Sequence, residues 1–358
     1  MQTIIRPFLK PLNALLLMIP VAIVAELAGW SPVLVFLTAA LAVVPLAGLM
    51  GDATEELAAR TGPQIGALIN ATLGNAAELI ITILAIRQGL LDLVRASIVG
   101  SIIGNILLVL GAAFLIGGLK HGIQKFTPSQ AGLNATMLLV SAVVLTVPAF
   151  FAFAIEPDTQ RVEELSLLTA AVIIVMYVLS VIYTLRARAG DPLTREAAHA
   201  PTMSLPLAIG LLVVATALIA LVSEFLVGAV EPMTAQLGIS EVFVGIILVP
   251  VIGNIAEHVV AIEVAAKDQM DLSLGIAIGS SLQVALLVAP VLVFVALLFG
   301  QYLTLEFTAF ELVALLASCL IAAAVSMDGR SNWLEGALLI GLYLIVGIAF
   351  FFLPTSPG

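Results

Sequence analysis

Charge is scarce in this chain. Asp, Glu, Lys and Arg make up 10% of its 358 residues, while 62% are hydrophobic. That balance excludes a soluble protein built around a large core. There is one cysteine, Cys319, inside an apolar run, so no disulfide framework exists. Basic residues are few: 13 Lys and Arg against 23 Asp and Glu, for a net charge of −10. This argues against a nucleic-acid partner. Neither Gly-x-Gly-Asp nor His-Glu-x-x-His occurs, which sets aside an intramembrane hydrolase, and no enzyme is expected. The apolar run from Leu12 lacks a small-residue cleavage site, so it reads as a membrane span and not as a cleaved signal.

What is present is one long apolar run after another. A helix needs about 20 such residues to cross the hydrocarbon core. The runs predict an all-α polytopic membrane protein of eleven transmembrane helices. They cover 10–28, 32–56, 63–87, 91–119, 131–153, 165–185, 205–230, 237–266, 272–299, 303–326 and 333–353. The second ends in Asp52-Ala53-Thr54-Glu55-Glu56, too polar for lipid. Glu55, Glu56, Glu163 and Glu164 read as solvated loop ends. Residues 1–30 form the first helix, 31–185 a five-helix unit and 205–358 another. The connector 186–204 carries the loop formers Gly190, Asp191-Pro192 and Pro201. Lys and Arg accumulate in cytoplasmic loops. With the N-terminus inside, Arg6, Lys10, Arg60, Lys120, Lys125, Arg186, Arg188, Arg195, Lys267 and Arg330 are inner. Only Arg87, Arg95 and Arg161 are then outer. The N-terminus is therefore expected in the cytoplasm and the C-terminus outside.

The two units repeat each other. Gly74-Asn75-Ala76-Ala77-Glu78 returns as Gly253-Asn254-Ile255-Ala256-Glu257, and a shift of 179 residues aligns the halves without a gap. Gly66 falls on Gly245, Asp92-Leu93 on Asp271-Leu272 and Gly100-Ser101 on Gly279-Ser280. Leu107-Leu108-Val109 falls on Leu286-Leu287-Val288. Matches at Asn, Asp, Glu, Ser and Gly are not cheap in so apolar a chain. Each unit has an odd number of spans, so the second enters from the opposite side. Such inverted repeats place a transport site near the midplane, where the repeats meet.

Glu78 and Glu257 lie deep in apolar stretches, where a carboxylate costs several kcal/mol and is rarely kept without function. In a helix, Asn75 and Glu78 share a face, as do Asn254 and Glu257, with His258 one step on. Gly74 and Gly253 permit a local opening, and Pro250 encourages one before the second phrase. Ser101, Ser280, Gln283 and Asn105 sit in the following spans as further oxygen donors. Carboxylates, amides, hydroxyls and carbonyls together suit a hard cation such as Ca²⁺. Two facing carboxylates cannot both stay ionised cheaply in a dry site, and a divalent cation reverses that penalty. The site holds either protons or a cation, which is the core of cation/proton exchange. Gln283 has no repeat mate, since Gly104 stands in its place, and its role is minor. His258 is either a site residue or an ordinary interhelical hydrogen-bond partner.

The phrases at 74–79 and 253–258 resemble the paired signature motifs of the Ca²⁺/H⁺ antiporters, the CAX group of cation/Ca²⁺ exchangers. Gly238-Ile239-Ser240-Glu241-Val242-Phe243-Val244-Gly245 and Gly279-Ser280-Ser281-Leu282-Gln283 are similar to that group too. The resemblance implies an antiporter moving Ca²⁺ against H⁺ in a lipid bilayer, with no cofactor beyond the transported Ca²⁺. Glu78 and Glu257 would be its essential cation and proton ligands. Asn75, Asn254, His258, Ser101, Ser280 and Gln283 would support them, and spans two and seven would slide. His258 separates this group from the Na⁺/Ca²⁺ branch, which stands as the alternative, ahead of a cation channel. The connector holds only Asp191 and Glu196 as acids, unlike the acidic helix of eukaryotic members, so a prokaryotic inner membrane is expected. The sequence neither requires nor excludes a homo-oligomer.

Overall fold

The structure, a computed structural model, describes residues 11–154, 159–188 and 201–353. Arg6, Lys10 and the connector residues Gly190, Asp191-Pro192, Arg195 and Glu196 lie outside the described residues. Among the described residues the fold is all-helical apart from turns, the non-helical stretches 201–204 and 301–308, and a two-residue strand pair. In hydrocarbon each backbone N–H and C=O needs a partner within the protein, and a helix supplies it locally.

A 3-10 turn, Pro11–Leu17, leads into α1 (Met18–Leu27). Helix α2 (Pro32–Leu73) is followed after Gly74-Asn75 by α3 (Ala76–Arg87). Helices α4 (Leu91–Ile103) and α5 (Leu110–His121) are joined by a wide π turn, Gly104–Val109. Then come α6 (Pro128–Ala154), α7 (Thr159–Arg188), α8 (Leu205–Gly228) and α9 (Val230–Leu237). The short α10 (Glu241–Phe243) passes through a second wide turn, Val244–Leu248, into α11 (Val249–Ala265). Helix α12 (Met270–Gln283) meets a third, Val284–Val288, before α13 (Ala289–Leu298). Helices α14 (Ala309–Ser326) and α15 (Trp333–Phe351) close the chain. Strand β1 (Gln124–Lys125) pairs antiparallel with β2 (Arg330–Ser331), Gln124 opposite Ser331.

Among the described residues nine helices are long and apolar enough to cross a membrane. Two of the eleven expected spans are not among them. The described apolar helix of the first covers only Asn13–Leu27. The third, expected over 63–87, is interrupted at Gly74-Asn75. Helix α2 has 42 residues, about 63 Å if straight, twice the roughly 30 Å hydrocarbon core. It is not straight. A methyl placed on Gly66 would meet the backbone carbonyl of Ala58, whereas residues eight apart in a straight helix are about 12 Å apart. The chain doubles back between them, where the sequence has Gly62-Pro63.

The tenth span begins later than expected. Residues 301–308 are non-helical, and the helix starts at Ala309 rather than Leu303. Thr308 and Glu311 form a capping box: the Glu311 carboxylate accepts from the Thr308 N–H at 2.7 Å, and Thr308 Oγ1 from the Glu311 N–H at 3.3 Å. Ahead of it Leu303, Leu305 and Phe307 are buried, and the Leu305 N–H donates to Ser166 Oγ at 3.1 Å. The apolar letters there follow period two, which a hydropathy count does not separate from helix.

The chain forms two compact units. One comprises Met1–Leu84, Val175–Gln236 and Ile252–Ala256; the other Ala85–Ile174, Leu237–Val251 and Glu257–Gly358. Each draws on both halves of the sequence. In the first, α2 packs along α8 and α1 lies on α2. Glu56 departs here from its expected place as a solvated loop end, for it is buried. Its carboxylate accepts from the Thr202 N–H at 2.8 and 2.9 Å, the Met203 N–H at 3.1 Å and the Thr202 hydroxyl. Arg60, 4.0 Å from Glu56, donates to the Met203 carbonyl. Helix α8 has no side-chain cap at Ser204, so Glu56 serves the N–H groups that lead into it.

In the second unit α15 packs on α5, and α14 and α12 on α6. Helix α4 crosses the Val244–Leu248 turn at very close range. A methyl on Gly100 would strike the Ile246 backbone, and one on Gly245 would strike Ala96 and Leu93. Close approach through small residues is what holds helices together in lipid. Overfilling such a contact costs about 1–3 kcal/mol. Gly245→Val should therefore lower the melting temperature of the detergent-solubilised protein by several degrees. Gly132→Ala, at a site with open space around it, should leave it unchanged or higher.

Candidate functional site

The two signature phrases fold differently. In the first, Asn75 stands just ahead of α3, and its carbonyl accepts the Leu79 N–H at 2.9 Å. Asn75 is thus the capping position and Glu78 lies in the first helical turn, so the expected shared helical face becomes a helix start. Both residues are buried. The Thr82 hydroxyl donates to the Glu78 carbonyl at 2.7 Å, tying the first turn of α3 to the next.

In the second phrase the helix does not open. Helix α11 runs unbroken through Gly253, Asn254, Glu257 and His258. The opening expected near Gly253 sits earlier, in the Val244–Leu248 turn, where the Val249 N–H reaches back five residues to Val244. Pro250 explains the displacement. It has no N–H to give the Ile246 carbonyl, so the ladder widens ahead of it. The wide turns Gly104–Val109 and Val284–Val288 fall on one another under the 179-residue shift. Single wide turns of this kind concentrate at functional sites.

Within the first unit, Gly253 faces the first phrase. A methyl built on it would lie 3.9 Å from both Cα and Cβ of Glu78. Gly48 of α2 similarly faces Ala256, 3.9 Å away. Asn254, the next residue of α11, is buried. The start of the second phrase thus packs against the end of the first.

Within the second unit, His258, Asn105, Ser101 and Ser280 are buried, whereas Glu257 and Gln283 are half-buried. The Ser280 hydroxyl lies beside the Glu257 carboxylate without reaching regular hydrogen-bond geometry. Glu257 Oε2 has no hydrogen-bond partner among the described residues. A buried carboxylate oxygen left so is costly unless a proton or a cation completes it. The His258 Nε2–H donates to Asn105 Oδ1 at 3.1 Å. Glu263, six residues beyond Glu257, is exposed and pairs with Lys267 at 3.9 Å.

The structure thus gathers Glu78 with Gly253 in one unit and His258 with Asn105 in the other. No group of three or more His, Cys, Asp or Glu side chains placed to hold a metal ion occurs among the described residues. The Ser280 hydroxyl beside Glu257 is a neutral oxygen of the kind suited to a hard cation. Sequence reasoning missed the burial of Glu56 and the wide turns. Pro250 and Pro290, each following such a turn, were the only legible signal for them.

The nine helices among the described residues that are long and apolar enough to cross a membrane, together with buried amide, hydroxyl and carboxylate groups, define a multi-pass membrane protein. The chain belongs to the sodium/calcium exchanger protein family, which matches residues 31–186 and 207–352. It is 42% identical to a Ca²⁺/H⁺ antiporter of Aphanothece halophytica, with 96% of each chain covered. It is 44% identical to a Ca²⁺/H⁺ antiporter of Synechocystis, over 95% of this chain and 97% of the relative. Among solved structures it is similar to native YfkE, with a TM-score of 0.84 and 37% identity over 96% of this chain and all of that one.

The approach of Gly253 to Glu78 makes a steric test. Gly253→Ala adds an atom at ordinary contact distance and should keep cation uptake in reconstituted vesicles. Gly253→Leu must displace Glu78 and should abolish it while the protein still purifies as a folded species.

Proposed function

We propose that this chain is a secondary antiporter that exchanges Ca²⁺ for H⁺ across a membrane by alternating access. The carrying observation is a duplicated carboxylate, Glu78 buried and Glu257 with one oxygen buried, in a chain similar to Ca²⁺/H⁺ antiporters over nearly its whole length. Glu78 and Glu257 are the groups that take either Ca²⁺ or protons. Asn75, Asn254, Ser101, Ser280, Gln283 and His258 support them from the two repeats. Eleven spans, arranged as one leading helix and two inverted five-helix units, fit the bend in α2 and the break before α3. An N-terminus inside and C-terminus outside a prokaryotic inner membrane follow the Lys and Arg count.

The chemistry is a competition. Burial makes two uncompensated negative charges costly, so an empty site takes up protons. Ca²⁺ brings two positive charges and displaces them. Because neither state leaves the carboxylates bare, the protein changes conformation only when loaded with one ion or the other. The two fluxes are coupled for that reason. Glu78 lies beside the backbone of α11 at Gly253, so movement of α11 is felt at the first carboxylate.

The direct test is Ca²⁺ uptake into proteoliposomes under an imposed pH gradient, with and without sodium. Uptake should follow the proton gradient and ignore sodium. Dependence on sodium would move the chain to the other branch of the family. Glu78→Gln and Glu257→Gln keep shape and remove charge. Each should reduce exchange by at least about 100-fold, the scale of a lost essential ligand, with normal folding by size-exclusion chromatography. Wild-type rates in both would refute the assignment.

Protons and Ca²⁺ share the same oxygens, so apparent Ca²⁺ affinity should weaken steadily as pH falls. Calorimetric titration across mildly acidic to mildly alkaline buffer measures it. An affinity that stays constant over that range would contradict shared occupancy.

A further inference from the structure

The last carbonyls of a helix have no partner within it. At the end of α11 they are gripped by side chains from the α5 end and β1. The Ala266 carbonyl accepts from Lys120 Nζ at 3.1 Å and from His121 Nε2 at 3.0 Å. The Ala265 carbonyl accepts from Gln124 Nε2 at 3.0 Å, and the same amide donates to Asp268 Oδ1 at 2.8 Å. Lys120 and His121 are exposed, so water competes for their bonds. Gln124 is 2% exposed and Ala265 fully buried, so that grip is shielded. Gln124 is itself held from behind. Its backbone lies in β1 opposite Ser331, and the Phe126 N–H donates to the Gly329 carbonyl at 3.0 Å. Its side chain fills the notch that Gly117 leaves, where a methyl would strike Gln124 Oε1.

Asp268 has a φ of 60°, the one positive φ outside glycine among the described residues. Under the 179-residue shift its counterpart is Gly89, with a φ of 80°. Glycine adopts such a backbone without strain. Lys120, His121 and Gln124 correspond to Phe299, Gly300 and Leu303. One half thus carries a strained acid and its buried donor where the other carries glycine and leucine. The turn alone does not require Asp268, and its side chain is what the position adds.

The place of Glu257 follows from the two ends of its helix. The start of α11 emerges from the Val244–Leu248 wide turn, where the hydrogen-bond ladder is loosened. Ala265 lies two turns beyond Glu257 in the same unbroken helix, about 12 Å along the axis. A helix that can adjust at its start is set by what grips its end. We propose that Gln124 is a positioning residue for the second carboxylate, with Asp268 as its anchor. Together they fix the end of α11 and so hold Glu257 where a cation meets it. Neither touches the cation. The inference rests on Glu257 being a cation ligand, as proposed above.

The repeat supplies the variants. Gln124→Leu and Asp268→Gly each install the residue that the other half carries, and glycine keeps the positive φ. Asp268→Asn tolerates that backbone and keeps an oxygen for Gln124 while losing the charge. Ca²⁺ binding to the purified protein is titrated by calorimetry, and Ca²⁺ uptake into proteoliposomes gives KM and maximal rate. Asp268→Gly and Gln124→Leu should each weaken binding and raise KM by about 10-fold, the low end for loss of a supporting partner of a metal site. The maximal rate at saturating Ca²⁺ should stay. Asp268→Asn should bind like the wild type. The double variant Gln124→Leu/Asp268→Gly should be no weaker than the weaker single one, because both remove the same contact. A lowered melting temperature with affinity and KM in place would show a merely structural contact and overturn the inference. An Asp268→Asn variant as weak as Asp268→Gly also overturns it, since charge would then be the cause. So do additive losses in the double variant. If Gln124→Leu does not fold, the two Asp268 variants decide. Glu257→Gln separates the two readings. Full Ca²⁺ binding in that variant would refute the site assignment itself. Its loss, with wild-type affinity in a folded Asp268→Gly, would refute this inference alone.

Discussion

A carboxylate buried away from water must be neutralised, and the site depends on that constraint. Glu257 keeps one oxygen without a hydrogen-bond partner among the described residues. In a soluble core such a group would be removed or paired with Arg or Lys. Here the neighbouring Ser280 hydroxyl is uncharged. A hydroxyl cannot cancel the charge, so a proton or a bound cation is what would complete the carboxylate. Permanent pairing would make the protein more stable and useless for exchange. The surrounding helices supply the low-dielectric setting that keeps the demand strong, and contacts at Gly100 and Gly245 pack two of their segments closely.

Much of this was legible in the letters. Helical membrane class follows from hydropathy, since lipid leaves the backbone no other local solution. The family followed from the phrases around Glu78 and Glu257. What could not be read was geometry set by a single backbone group. The opening of the second phrase was expected at Gly253 and lies nearer Val244, because the missing N–H of Pro250 acts on the preceding turn. The helix expected from Leu303 begins at Ala309, because Thr308 and Glu311 cap it and the residues before them alternate. Glu56 was placed in water by its charge alone. Its true position depends on Thr202 and Met203, 146 and 147 residues away, and no local pattern carries that.

The two phrases are nearly identical as sequence and unlike as structure. Asn75 caps a helix, whereas Asn254 lies within one. Equal letters thus meet unequal backbones. The same inequality appears at the second level, where Gly89 and Leu303 answer Asp268 and Gln124. A sequence repeat gives a chain two related halves. The departures from the repeat are where one half acquires a property that the other lacks.

Glu56 also bears on how such a chain tolerates change. The start of α8 is fixed by a side chain of α2 and by Arg60 gripping the Met203 carbonyl. Its position is therefore not dictated by the segment that joins the halves. Loop-closure entropy grows only slowly with length, by about 0.6 kcal/mol per doubling. The connector's length is in this sense a free parameter of the architecture. A regulatory segment or a further domain can be inserted there while α8 still begins at the same place, held from the opposite side of the join.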